Sequence, residues 1–242
     1  KGVSSFTATS GQTVTINTTA IDNPAVIRGA TDGVLVNDPT FSTDTPFTNF
    51  KWDVYSVLFD GVDEYMDTEY VVPAVATLTL SCWAKGTATG FRILMGDFAS
   101  DGSNASARAL LGFYNKSIYV NMGDGSNYYF AYSAQTYDAT STLFDGSWHH
   151  VALTINAEIQ KFYIDGVLVH THDTTDAATR TGGTSAVLGT VGTQGMAIGR
   201  FGDFTSSGYW NGEIDEAAIF STALTSAQIN TIFNGGAPAD LD

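Results

Sequence analysis

Asp145-Gly-Ser-Trp-His-His-Val-Ala-Leu-Thr-Ile-Asn156, followed by Lys161-Phe-Tyr-Ile-Asp-Gly-Val-Leu-Val-His170, decides the fold class. Val151, Leu153 and Ile155 alternate with Ala152, Thr154 and Asn156. Successive side chains of a strand point to opposite faces, so this period turns one face into a core and the other outward. The second segment alternates as well, and its Asp165-Gly166 pair stands between two β-rich runs. Such a pair accepts positive φ at both positions, which makes it the strongest short signal for a two-residue hairpin turn. The centre of the chain therefore reads as a meander of antiparallel strands.

A chain of 242 residues accommodates one large all-β domain or two small ones, with enough apolar residues for a sizeable core. Glycine, threonine and serine are plentiful, which favours many short strands joined by turns. The formal net charge is −15, with only ten Lys and Arg scattered along the chain. A phosphate-tracking surface needs clustered cations, so nucleic acid is excluded as a partner and an anionic membrane is disfavoured. Acidity of this kind suits a protein kept soluble in a salty or calcium-containing medium. Cys82, the sole cysteine, lies on the same face as Leu78 and Leu80 and reads as an inert core residue. No disulfide framework exists, which leaves an extracellular or virion setting open because a large core can manage without one. No apolar run approaches the roughly 20 residues that span a bilayer, and no signal peptide is read. A start at Lys1 rather than Met is what a processed product or a fragment would show. Asn17, Asn104 and Asn115 open glycosylation triplets of a kind that a chain rich in Asn, Ser and Thr produces by chance.

Residues 1–50 differ in texture from the rest. Phe6-Thr-Ala-Thr9 and Gln12-Thr-Val-Thr-Ile-Asn17 read as short strands around Ser10-Gly11, with turns at Asp38-Pro39 and Thr45-Pro46. An arm, a partner-docking ribbon and extra strands on a main sandwich are all compatible with this segment. From Trp52 the alternation is firm, and residues 51–242 read as one domain. Thr225 and Gln228 make a capping box for a helix with Ile229, Ile232 and Phe233 as its stripe and Gly235 as its stop.

Several segments carry a family resemblance in the right order. Trp148-His149-His150-Val151-Ala152 followed by Phe162-Tyr163-Ile164-Asp165-Gly166-Val167-Leu168-Val169 resembles the central motif of laminin G-like domains of the concanavalin A-like jelly-roll superfamily. Phe59, Asp60, Gly61, Asp63, Glu64 and Tyr65 match that family's first core strand. Ala76 to Lys85 looks like its long strand ending in Trp, with Arg92-Ile-Leu-Met95 as hairpin partner. Trp210 to Phe220 and the helix after it resemble the family's ending. The resemblance covers roughly Tyr55 to Gly236 and implies an all-β, antiparallel two-sheet β-sandwich of jelly-roll type with a short C-terminal helix. A weaker likeness, in Pro46-Phe-Thr and Tyr55-Ser-Val-Leu-Phe-Asp-Gly61, is to laminin G-like domains of phage structural proteins.

The same superfamily contains glycoside hydrolases, which makes the carboxylates on the last core strand candidates for catalysis. Retaining hydrolysis needs two carboxyl groups about 5–5.5 Å apart. Glu213 and Asp215 share a face of a regular strand, but the next position on that face is Ala217, and a one-residue bulge brings Ala218 there instead. Acid, base and helper cannot be assembled from this stretch, and no enzyme is expected. What the resemblance implies instead is calcium, which many laminin G-like and pentraxin-like domains bind. Asp60, Asp63 and Asp215, with carbonyls near Gly61, are the candidate ligands if the first and last core strands approach. The alternative for Asp60-Gly61 is a plain turn.

His149 and His150 face opposite sides of a strand and read as core or edge packing. His170 and His172 share a face, with Asp173 nearby, a spacing that suits zinc but falls short of the four ligands of a structural site. Tyr128, Tyr129 and Tyr132, and separately Phe204, Tyr209 and Trp210, sit beside Gly, Ser and Asn where loops or rims are expected. Flat rings with polar tips suit contact with sugars or a protein surface, so Tyr128, Tyr129, Tyr209 and Trp210 are the candidate ligand-binding residues. Trp83 and Trp148 are assigned to the core. The function expected is a non-catalytic recognition module for carbohydrate or a cell-surface partner, displayed on an extracellular or virion assembly. A structural decoration or fibre subunit, self-assembling through residues 1–50, is the alternative.

Overall fold

The computed structural model describes residues 3–7, 13–17, 33–47, 55–68, 70, 77–87, 90–97, 109–115, 117–123, 128–132, 143–176, 182–183, 195–200 and 208–236. Fifteen of its strands form two packed antiparallel sheets, as expected for a jelly roll. One sheet runs in the order β15 (Gly182–Gly183), β11 (Tyr128–Tyr132), β10 (Ser117–Gly123), β9 (Ala109–Tyr114), β8 (Phe91–Asp97), β16 (Met196–Ile198), β6 (Tyr65–Asp67), β3 (Val34–Val36). The other runs β14 (Val167–Asp173), β13 (Ile159–Ile164), β12 (His149–Asn156), β7 (Thr77–Gly86), β17 (Asn211–Phe220), β5 (Ser56–Asp60), β4 (Thr40–Ser42). A hairpin of β1 (Val3–Thr7) and β2 (Thr13–Asn17) pairs into neither sheet.

The alternation along His149–Asn156 fixes the core. Val151, Leu153 and Ile155 of β12 stand opposite Cys82, Leu80 and Leu78 of β7, and all six are buried. Leu94, Leu111, Phe113, Ile118, Val120 and Met122 meet them from the facing sheet. Each such side chain contributes about 1.5–3 kcal/mol by leaving water. Burial holds the Cys82 thiol protonated by raising its pKa, which fits an inert core residue. Asp165 and Gly166 turn the β13–β14 hairpin with φ of 49° and 75°, the left-handed pair expected there.

The outer face of the seven-stranded sheet carries Ser81, Trp83, His150, Ala152 and Tyr163, and helix α1 (Ser226–Phe233) covers it. The capping box of Thr225 and Gln228 is formed, while Asn234 at φ 45°, one residue before the expected Gly235, makes the left-handed C-cap. His150 is buried in a cluster with the rings of Trp83 and Phe233, and its Nε2 is 2.8 Å from Ser81 Oγ.

Two expectations are corrected, for β8 and for Trp148. β8 is not the hairpin partner of β7: the two strands lie in different sheets, so that apolar faces of both reach one core from opposite sides. Of the readings open for the N-terminal segment, residues 33–47 follow the one of extra strands on the sandwich, because β3 joins one sheet beside β6 and β4 joins the other beside β5. Trp148 is only half-buried, since it precedes β12 and its indole Nε1 donates to Asp44 Oδ1 at 2.9 Å.

Candidate functional site

Antiparallel pairing gathers one set of turns at one end of the sandwich. β5 ends at Asp60 where β17 begins opposite it at Asn211, β7 ends at Gly86 opposite Gly212, and β8 starts at Phe91. The turn at 61–64 and the segment 208–210 therefore lie side by side. Asn211 Nδ2 donates to the Asp60 carbonyl at 2.6 Å, and a Cβ on Gly61 would stand 2.6 Å from that of Asn211. With φ of 77° as well, position 61 admits only glycine without displacement.

Arg92, the second residue of β8, ties the two loops together. Its guanidinium donates to the Tyr209 carbonyl at 2.7 Å and to the Gly61 carbonyl at 3.4 Å. The Ile93 amide donates to the Gly208 carbonyl at 2.9 Å, so the approach to Tyr209 is fastened twice. Desolvation pulls the Arg92 pKa down, but a guanidinium starts so high that it keeps its charge. Sequence reasoning missed this residue, since a lone cation near a strand start carries no spacing signal.

Around this clamp lie carboxylates. Asp60 Oδ1 accepts the Val62 amide at 2.7 Å, Glu64 Oε2 accepts the Asp60 amide at 2.6 Å, and Asn37 Nδ2 donates to the Asp63 carbonyl at 2.9 Å. Burial, then the nearby charges of Asp60, Asp63 and Asp38, raises the Glu64 pKa against the Asp60 amide bond. Tyr209, whose carbonyl shares the Arg92 guanidinium with that of Gly61, is half-buried.

The strands bearing Asp60 and Asp215 are adjacent, as expected, yet the register keeps those two residues apart. Asn211 is opposite Asp60, and Asp215 lies four residues further along β17, about 13 Å at the rise of a strand. Among the described residues no three His, Cys, Asp or Glu side chains converge on a metal position. Asp60, Asp63 and Asp215 therefore do not fit a shared calcium ion.

Trp210 is corrected from rim to core. It is fully buried, with its ring 5.9 Å from that of Phe144 and 6.4 Å from that of Phe113. The signal was there: counting back by twos from inward-facing Ile214 reaches Gly212 and Trp210, which leaves Tyr209 for the opposite side. Tyr128 and Tyr129 open β11 opposite Gly123 and Met122, at the end of the sandwich away from Tyr209. The structure thus does not bring them to the same rim. Phe204 lies outside the described residues.

Glu213 is engaged elsewhere: Ser42 Oγ donates to its Oε1 at 3.1 Å and Lys85 Nζ stands 3.6 Å from its Oε2. Lys85 also pairs with Asp44, whose pKa falls mainly through that bond. β17 bulges between Asp215 and Ala218, with Glu216 at φ 47°, so Ala218 takes the next place on the Glu213 and Asp215 face. The expected gap in the carboxylate series is present. His149 is bracketed by Asp165 and Asp145, and Asp173 faces away from His170 and His172 to accept the Thr175 amide and hydroxyl.

Solved structures share this architecture at low identity. Domain 4 of AbnA, a GH43 extracellular arabinanase from Geobacillus stearothermophilus, solved in complex with arabinotriose, aligns with a TM-score of 0.56 at 16% identity. That alignment covers 84% of this chain and 88% of the domain. The botulinum neurotoxin serotype D ligand binding domain, solved with N-acetylneuraminic acid, aligns with a TM-score of 0.58 at 14% identity over 96% of this chain and 50% of the other. This chain thus spans about half the length of that toxin domain. No curated protein sequence matches significantly. A laminin G-type family model, described as the concanavalin A-like lectin/glucanases superfamily, matches residues 60–230. With more than half its length matched and both sheets in place, the chain belongs to the concanavalin A-like lectin/glucanases superfamily.

Proposed function

We propose that the chain is a non-catalytic recognition module that binds glycan at the Tyr209 end of the sandwich, outside the cell or on a virion surface. The observation that carries this reading is the fastened rim itself. Tyr209 sits on backbone held by Arg92, next to Asn211 and the Asp60 to Glu64 turn. An aromatic ring beside several fixed hydrogen-bonding groups is the chemistry that sugars require, and strands rather than long loops hold it in place. The sugar ligands of the arabinanase domain and the toxin domain lend support at the level of fold. The engagement of Glu213 with Lys85 and Ser42, and the alanine that follows on its face, support the absence of hydrolysis. Among the described residues no helix is long and apolar enough to cross a membrane.

Glycan-array binding by the full chain tests this. Tyr209→Ala should lower binding at least about tenfold, the loss of one stacking or hydrogen-bonding anchor, without moving the melting temperature. A structural decoration or fibre subunit is the second reading, favoured by the β1–β2 hairpin that joins neither sheet. A silent array together with tight oligomerisation through residues 1–50 selects it.

A further inference from the structure

We propose a transition-metal site between the two sheets at the β14 edge, held by His170, His172 and Gln160. On the β13–β14 ladder Gln160 stands opposite His172 and Phe162 opposite His170. Residues directly opposite share a face, and Phe162 is part of the core, so all three polar side chains point between the sheets. Gln160 is 1% exposed and His172 is 2% exposed, a depth at which polar groups need a reason. The Gln160 amide Nε2 reaches across to Met122 Sδ of the facing sheet at 3.5 Å, which fixes the orientation of its other atom.

That other atom, Oε1, is buried and accepts no hydrogen bond among the described residues. An unmet buried acceptor costs about 1–3 kcal/mol, so its retention points to a positive centre in front of it. The two imidazoles supply the rest: their ring centroids are 4.1 Å apart at an interplanar angle of 67°, with His170 half-buried at the mouth and His172 behind it. Imidazole nitrogen suits zinc, copper or nickel and not calcium, which takes oxygen. A ligating imidazole must be neutral, and burial keeps both so, lowering the pKa of His170 and pushing that of His172 to about 3. Two imidazoles and one amide oxygen leave coordination positions to be filled by solvent, so the site is weaker than a closed structural zinc centre.

The full chain, stripped with a chelator, is titrated with zinc, nickel and copper(II) chloride and followed by calorimetry and thermal melting. Saturable binding of a single ion, a raised melting temperature and copper resonance with nitrogen hyperfine structure are expected. His170→Ala sits at the half-exposed position, and its metal-free melt verifies the fold; it should weaken binding about tenfold or more, as should Gln160→Leu. A buried water alone in front of Oε1 gives no heat and no melting shift with any of the three ions, and that result overturns the site. Undiminished binding by His170→Ala overturns it equally.

Discussion

His149 and His150 are adjacent and titrate in opposite senses because a strand sends them to opposite faces. His149 Nδ1 lies 2.7 Å from Asp165 Oδ2, and this bond first, then Asp145, raises its pKa against partial desolvation. A raised folded pKa means that its stabilisation is complete below the unfolded value of 6.5 and fades as pH rises through the folded one. His150, sealed beneath α1, is pushed down to about 4 by burial, so stability is lost as pH falls from 6.5 toward that value. Urea midpoints between pH 4 and 9 should therefore show His149→Gln flattening the decline on the alkaline side and leaving the acid limb intact. An unchanged alkaline decline in that variant would show that the two aspartates contribute nothing there. None of this was legible beforehand: the period-two pattern placed the histidines on opposite faces, but which face met carboxylates depended on turns 145–148 and 165–166 arriving together. Trp210 is the reverse case, legible by counting from Ile214 and misread because its neighbours Ser207, Gly208 and Asn211 suggested a rim.

At the scale of elements, α1 closes the outer face of the seven-stranded sheet rather than decorating it. Ile229 is fully buried against Tyr163, Phe220 and Leu224, and a Cβ at position 166 would lie 2.9 Å from the Phe233 ring. The β13–β14 turn is thus glycine for two reasons, its φ of 75° and the helix above it. Ile229→Ala should cost about 2–5 kcal/mol in a denaturant melt, and Thr225→Ala, which breaks the capping box, about 1 kcal/mol. Gly166→Ala should fall between them, near roughly 1–3 kcal/mol; a neutral result would mean that the helix is not seated on this turn. The capping box and apolar stripe were readable because both are local. Its docking partner was not, since Trp83 and Tyr163 look like ordinary inward residues until the sheet has two covered faces. The β17 bulge is likewise not fixed by the local sequence, because what sets it is the register against β7.

For the molecule as a whole, the seam between β5 and β17 was legible, while the sequence left open whether β3 and β4 belong to the sandwich. Asp-Gly punctuation and alternation mark β5 and β17 from within, whereas β3 and β4 are three residues each and acquire meaning only as edges. They finish both sheets: β3 borders β6, β4 borders β5, and the segment after β4 lays Asp44 against Lys85 and Trp148 and Phe47 against Trp83. A short strand at the rim of a sheet covers its neighbour's backbone groups and blunts an edge that would otherwise recruit another chain. Two truncations separate this from the idea of a dispensable arm. Removing residues 1–32 takes away only the β1–β2 hairpin and the stretch before β3, and should move the melting temperature by less than about 4 °C, the shift that corresponds to about 1 kcal/mol in a chain of this size. Removing residues 1–50 strips an edge from each sheet, uncovers Trp83 and leaves Lys85 without Asp44, so that chain should melt far lower or aggregate. Equal melting temperatures for the two truncated chains would place the limit of the fold after β4 and reassign residues 33–47 to the extension.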